Sequence, residues 1–277
     1  MWRLEKPDLE TAKKDIPRLI GSDKRLVESD QAVLEDLYDL YERNHGCVTD
    51  EEHDRIPPGK QEALRSLYDK TYEGGSLGYI RSSLMDKVIK CPYCSINTPS
   101  WLDHYMPKSR YKALSVCRLN LVPMCGDCNI RKSDDSYDRY IHPYYYAGPG
   151  VPEFLVVEVT VIPEQGLSLK LSVSPQVKDP RQRSILENHI ERFHLKTRIS
   201  HELNIYLCDL FKDPYSSDEA LKTSLNHFLE KEKELYGRDD WRTALLRGLI
   251  LCKDFDAKAA NSFFHRRSTA VNGGAGL

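Results

Sequence analysis

What the sequence lacks narrows it first. No apolar run approaches the roughly 18 to 20 residues that a membrane span needs, and the opening MWRLEKPDLE is too charged for a secretory signal. There is no low-complexity block and no internal repeat. The phosphate loop G-x-x-x-x-G-K-[ST] is missing as well, so this chain is not itself a P-loop ATP-driven motor. Nor is there an excess of charge of one sign: 40 basic against 42 acidic residues leave a formal net charge of −2, which excludes a broad electrostatic hold on nucleic acid. These absences lead to the expectation of a soluble cytoplasmic protein with no membrane attachment.

What is present is a chain of 277 residues, 40% hydrophobic and 30% charged, long enough to bury a real core. Helical periodicity dominates residues 1–85. Val33, Leu34, Leu37, Tyr38 and Tyr41 mark one core stripe and Ala63, Leu64, Leu67, Tyr68 and Tyr72 another, with TDEEHDRIPPGK as the loop between them. Ile80, Leu84 and Val88 continue that spacing into KCPYC. The period then changes to two: Leu155, Val157, Val159 and Val161, followed by PEQG and by Leu167, Leu169, Leu171 and Val173, predict a β-hairpin with one apolar face. Helical spacing returns at Leu186, Ile190 and Phe193. It recurs at Ala220 to Leu229, behind a capping box from Ser216 to Glu219, and at Trp241 to Cys252. The tail, residues 268–277, reads as disordered. The fold class expected is α+β: a mostly helical scaffold carrying a small module at residues 86–147 and, across 148–267, the hairpin with C-terminal helices.

Eight cysteines are spread over the chain, four of them in CPYC (Cys91, Cys94) and CGDC (Cys125, Cys128). A matched pair of such knuckles directs four thiolates at one centre, the donor set of a closed structural zinc site. Cys47, Cys117, Cys208 and Cys252 stand alone and read as buried apolar residues. Between the knuckles lies SWLDHYMPKS, which can run as a strand until Pro107 and leaves Asp103 and His104 near its end. Adjacent on an extended chain, they face opposite sides. The carboxylate suits a hard ion such as Mg²⁺, whereas the imidazole can take a proton from water at neutral pH. Residues 104–132 also hold six basic side chains against one acid, Asp127; this composition suits a phosphate-binding patch or a solvated loop face.

CPYC, LDHYMPKS, NLVPMCGDCN and RKSD together resemble the HNH nuclease family, or ββα-metal fold, in the variety framed by a four-cysteine zinc. The likeness covers about residues 88–136. It implies that His104 is the general base, that Asp103 and Asn129 carry a catalytic Mg²⁺ or Mn²⁺, and that Asn120 ties the loop backbone together. Lys108, Arg131 and Lys132 are then candidates to hold flanking phosphates. His142 is expected to be a packing histidine. Tyr137, Tyr140 and Tyr144 to Tyr146 are expected to pack the module against the hairpin, with stacking on bases as the alternative. The order of helices, HNH module, hairpin and helices also looks like the HNH subunits that bacterial anti-phage systems, Septu among them, pair with a separate ATPase. A DNA endonuclease in such a system is the expected function. An RNA-cleaving nuclease, or a non-catalytic zinc-stapled module that binds nucleic acid or protein, stays open.

Overall fold

The structure is a computed structural model that describes residues 3–86, 88–132, 139–146, 153–163 and 166–261. The chain divides into two compact units, Trp2–Gly150 and Val151 onward. The mostly helical α+β class is as expected.

The first unit begins with helices α1 (Leu9–Ser22), α2 (Gln31–Arg43), α3 (Asp50–His53), α4 (Pro58–Leu67) and α5 (Gly78–Met85). Asp8 starts α1 by accepting a hydrogen bond from the Thr11 amide at 2.9 Å. The helix buries Ala12, Ile16 and Leu19, while α2 buries Leu34, Leu37, Tyr38 and Tyr41. Each large side chain of this kind contributes about 1.5 to 3 kcal/mol when fully removed from water. Two details of the expected stripes differ. The segment expected as a loop contains α3, nucleated by a capping box between Thr49 and Glu52. Tyr72 falls beyond α4 and is exposed, and Val88 lies past the end of α5.

Strands β1 (Trp101–His104) and β2 (Leu121–Met124) pair antiparallel, with Asp103 opposite Val122 and His104 opposite Leu121. Helix α6 (Gly126–Arg131) follows at once, completing a strand–strand–helix unit. The loop joining the strands contains a short 3-10 turn, Lys112–Leu114, and α4 packs against that turn while α5 packs against β2. The N-terminal helices and the module expected at 86–147 therefore belong to one compact unit.

The second unit opens with the hairpin of β3 (Leu155–Ile162) and β4 (Gly166–Val173). Its register pairs Leu155 with Val173, Val157 with Leu171, Val159 with Leu169 and Val161 with Leu167, which is the apolar face that the alternation predicts. Helices α7 (Pro180–Arg192), α8 (Leu195–Leu210), α9 (Asp218–Tyr236) and α10 (Trp241–Leu251) follow. Helix α10 lies on β3, where a Cβ at Gly248 would come within 2.2 Å of the Val157 carbonyl oxygen, so only glycine permits that approach. The cap of α9 is Ser217, whose hydroxyl accepts from the Ala220 amide, and not the Ser216 to Glu219 box. Of the four solitary cysteines Cys117 is buried, whereas Cys47, Cys208 and Cys252 are half-buried. Tyr137 and residues 268–277 lie outside the described residues.

Candidate active site

The two cysteine knuckles converge. The sulfurs of Cys91, Cys94, Cys125 and Cys128 are buried and all lie within 4.8 Å of one another. The first knuckle turns back through the Ser95 amide, which donates to the Cys91 carbonyl at 2.7 Å, while the Ile96 amide points at the Cys94 sulfur. Ser95 takes a left-handed backbone (φ 56°) to close that turn. The second knuckle is the start of α6, with Cys125 as its N-cap and Cys128 in its first turn. Asn97 joins the two, donating to Asp127 at 2.9 Å. Cys94 and Cys125 are 3.8 Å apart, and sulfurs around a tetrahedral Zn²⁺ with Zn–S bonds of about 2.3 Å would stand roughly 3.8 Å apart. Burial pushes the Cys91 thiol well up, so a set of buried thiolates requires a cation among them. The cluster is fit to bind a metal such as zinc.

Strand β1 carries Asp103 and His104. His104 is buried, and its Nε2 meets the Ser115 carbonyl oxygen at 2.9 Å. A carbonyl only accepts, so Nε2 carries the ring hydrogen and Nδ1 keeps its lone pair. Burial pushes the imidazole down to about 4, against the opposing charge of Asp103, and keeps it neutral. The Tyr68 ring lies 4.5 Å from the His104 ring, centroid to centroid, with the Tyr68 hydroxyl donating to the Leu102 carbonyl. Lys108 is placed over that same Tyr68 ring, its Nζ 4.2 Å from the centroid.

Asn120 is fully buried and uses all of its amide. Its Oδ1 accepts from the Met106 amide at 2.7 Å and from the Tyr41 hydroxyl at 3.1 Å, while Nδ2 donates to the Met106 and Leu114 carbonyls. It thereby ties the segment after β1 to the residue preceding Ser115. Tyr41 belongs to the α2 stripe, where sequence periodicity gives no sign that its hydroxyl does more than fill the core.

Trp101 and Asp103 share one face of β1, and that face meets α6. A Cβ at Gly126 would lie 3.5 Å from the Trp101 indole nitrogen, and Lys132, just past α6, donates to Asp103 Oδ2 at 2.5 Å. Asn129 lies on α6 between those two contacts and is half-buried. Lys132 also donates to the His104 carbonyl, and its side chain is only 6% exposed. Lys132, expected to hold a flanking phosphate, thus has its ammonium turned inward onto Asp103.

Much of the positive charge counted along the loop is paired in three dimensions. Arg110 pairs with Asp50, Lys112 with Glu62 and Arg118 with Asp15, all acids of the N-terminal helices. The pairing of Arg118 is buried, with exposures of 7% and 8% for the two side chains, and Arg118 also donates to Ser83. A count confined to residues 104–132 could not include these partners. The tyrosines at the end of the module pack within it and its own unit: Tyr140 against Tyr93 and Tyr105, Tyr144 and Tyr145 against His142. His142 is a buried packing residue, as expected.

Among known proteins, part of the chain is similar to Protein ea31 of Escherichia phage lambda, with 36% identity over 72 residues. The matched stretch is 24% of this chain and 24% of that protein, so the chain spans about a quarter of the length of this relative. No protein-family profile matches the chain, and no solved structure matches it. Among the described residues no helix is long and apolar enough to cross a membrane.

Proposed function

We propose that the chain is a metal-dependent phosphodiester hydrolase of the HNH type. One observation carries this reading: on the end of β1, beside Asp103, His104 has Nε2 committed to the Ser115 carbonyl and Nδ1 left as its basic atom. The strand–strand–helix order and the four-sulfur frame around it support the same reading. His104 Nδ1 takes a proton from water, and the hydroxide attacks phosphorus in line with the departing 3′ oxygen. Asn120 holds the loop so that the Ser115 carbonyl keeps the ring in that tautomer. Asp103 and Asn129 would hold Mg²⁺ or Mn²⁺, which when bound supplies positive charge to the phosphoryl oxygens. Their carboxylate and amide oxygens are hard donors suited to such ions. Lys132 now donates to Asp103 Oδ2, so an ion there would share or replace that contact. Lys108 and Arg131 are the proposed contacts to flanking phosphates.

DNA is the proposed substrate, and the proposed setting is the cytoplasm, as effector nuclease of an anti-phage system beside a separate ATPase. The near-neutral charge and the paired basic side chains support a nuclease that gains its substrate by docking to a partner. The test is digestion of plasmid, single-stranded DNA and tRNA with Mg²⁺ or EDTA, with and without co-purifying partners. His104→Ala is expected to retain zinc and lose about 10²- to 10⁴-fold in rate. Cleavage of tRNA alone would make the substrate RNA. Zinc retention without cleavage of any substrate, partner present, would leave a binding module.

A further inference from the structure

Two buried polar side chains beside the site take no part in the chemistry just described. Tyr41, on α2, is 0% exposed, and His142, in the segment after α6, is 5% exposed. Their hydrogen bonds have one consistent direction. The Tyr144 amide donates to His142 Nδ1 at 3.3 Å, so the ring hydrogen is on Nε2. Nε2 then donates to the Tyr41 hydroxyl oxygen at 3.1 Å, and that hydroxyl donates onward to Asn120 Oδ1 at 3.1 Å. The far end of this line is held by packing: the His142 ring lies 3.9 Å from the Tyr105 ring. Gly46, after α2, has φ +94°, and a Cβ there would come within 2.5 Å of His142 Cδ2 and 2.8 Å of Tyr145. The chain leaves α2 through a glycine that makes room for this histidine.

We propose that Tyr41 and His142 are positioning residues for Asn120 and, through it, for the carbonyl that anchors His104. The line runs from His142 to Tyr41 to Asn120, which grips Leu114; the next residue, Ser115, holds the imidazole. Neither residue touches the reacting atoms. A bond to Asn120 from helix α2 stops the amide from rotating, since it fixes Oδ1 as the acceptor for Met106. The inference rests on the hydrolase reading for its catalytic consequence, but its mechanical part stands on geometry alone.

The experiment uses the full chain carrying Tyr41→Phe, which removes one hydroxyl and leaves the ring in the core. Tyr38→Phe is the control: it lies on the same helix, fully buried, and its hydroxyl has no hydrogen-bond partner among the described residues. In Tyr41→Phe, exchange of the Met106 amide is expected to accelerate about tenfold, the worth of one buried hydrogen bond. Its kcat is expected to fall about 10- to 100-fold with KM for DNA unchanged, as for a mispositioned base. Zinc content stays complete, and Tyr38→Phe changes neither readout. His142→Leu, which leaves Tyr41 in place without its donor, is expected to move both readouts in the same direction by less, and it serves as the test should Tyr41→Phe fail to fold. Unchanged Met106 exchange, or faster exchange with unchanged kcat, would overturn the proposal. Absence of cleavage by the wild-type chain would instead sink the hydrolase reading, and the Met106 amide would then decide alone whether the pair holds the loop.

Discussion

The four-sulfur frame and the loop it encloses are neighbours held together by opposite means. The frame is sequence-local: two knuckles, each closed by its own backbone turns, meeting at one cluster. The loop from His104 to Asn120 is held from far away. Arg110 reaches Asp50, the Ala113 amide donates to His53 Nε2 at 3.2 Å, Arg118 reaches Asp15 and Asn120 receives Tyr41. Every one of those partners lies in the first 60 residues. The difference teaches that a metal-binding frame can be assembled within a short motif, whereas the placement of a buried imidazole depends on a scaffold outside the motif.

The strongest way to break the comparison is to remove the metal. Chelation of zinc, or Cys125→Ser, is expected to unfold the frame, since binding energies of about 10 kcal/mol or more become folding energy at such sites; thiol titration against near-ultraviolet circular dichroism would follow it. Asp15→Ala attacks the other half. It leaves Arg118 buried without its carboxylate, which costs about 3 to 5 kcal/mol, and chemical denaturation should show that loss with zinc content intact. Loss of zinc in Asp15→Ala would mean that frame and loop are one unit mechanically.

Acidity probes the loop more gently. Burial holds the pKa of His53 and of His142 below the ordinary histidine value of 6.5. The folded chain therefore binds fewer protons at these sites than the unfolded chain. Their contribution to stability is complete above about pH 6.5 and is lost as pH falls through and below that value. Melting temperatures between pH 8 and pH 5 should fall accordingly, and His53→Gln should flatten part of that slope. A slope identical in wild type and variant would remove His53 from the account. The smallest effect is expected at Lys132. Under the proposed hydrolase reading its ammonium would compete with a divalent ion for Asp103, so Lys132→Met should lower the Mg²⁺ concentration for half-maximal cleavage by several-fold, read by titration. A higher requirement would instead make Lys132 a participant in the reaction.

The same contrast explains what was legible in the sequence. CPYC and CGDC announce themselves by spacing, and the alternation of β3 and β4 announces a hairpin with one apolar face, because both are local patterns. The break at Pro107 likewise locates Asp103 and His104 at the end of β1. What was illegible is long-range. A tyrosine in a helical stripe reads as core whether or not its hydroxyl meets Asn120, and a lysine past a helix reads as a phosphate contact until its length carries it back to Asp103. The charge count over the loop left its pairing open for the same reason: the acids that meet Arg110, Lys112 and Arg118 sit 50 to 103 residues away. The cap of α9 moved by one residue: only Ser216 has Glu219 at the capping-box spacing, but either serine hydroxyl can cap a helix and the backbone turns in at Ser217.

The contact of the Trp101 indole with the start of α6 has a practical corollary. Trp101 is 44% exposed against the knuckle that carries Cys125, whereas Trp241, in the other compact unit, is 1% exposed. The chain's third tryptophan is Trp2; in a Trp2→Phe background the emission of the other two should differ in wavelength and in accessibility to a quencher, giving two intrinsic optical probes. The red-shifted component would report on the sulfur cluster and the blue-shifted one on the helices around α10, without any label.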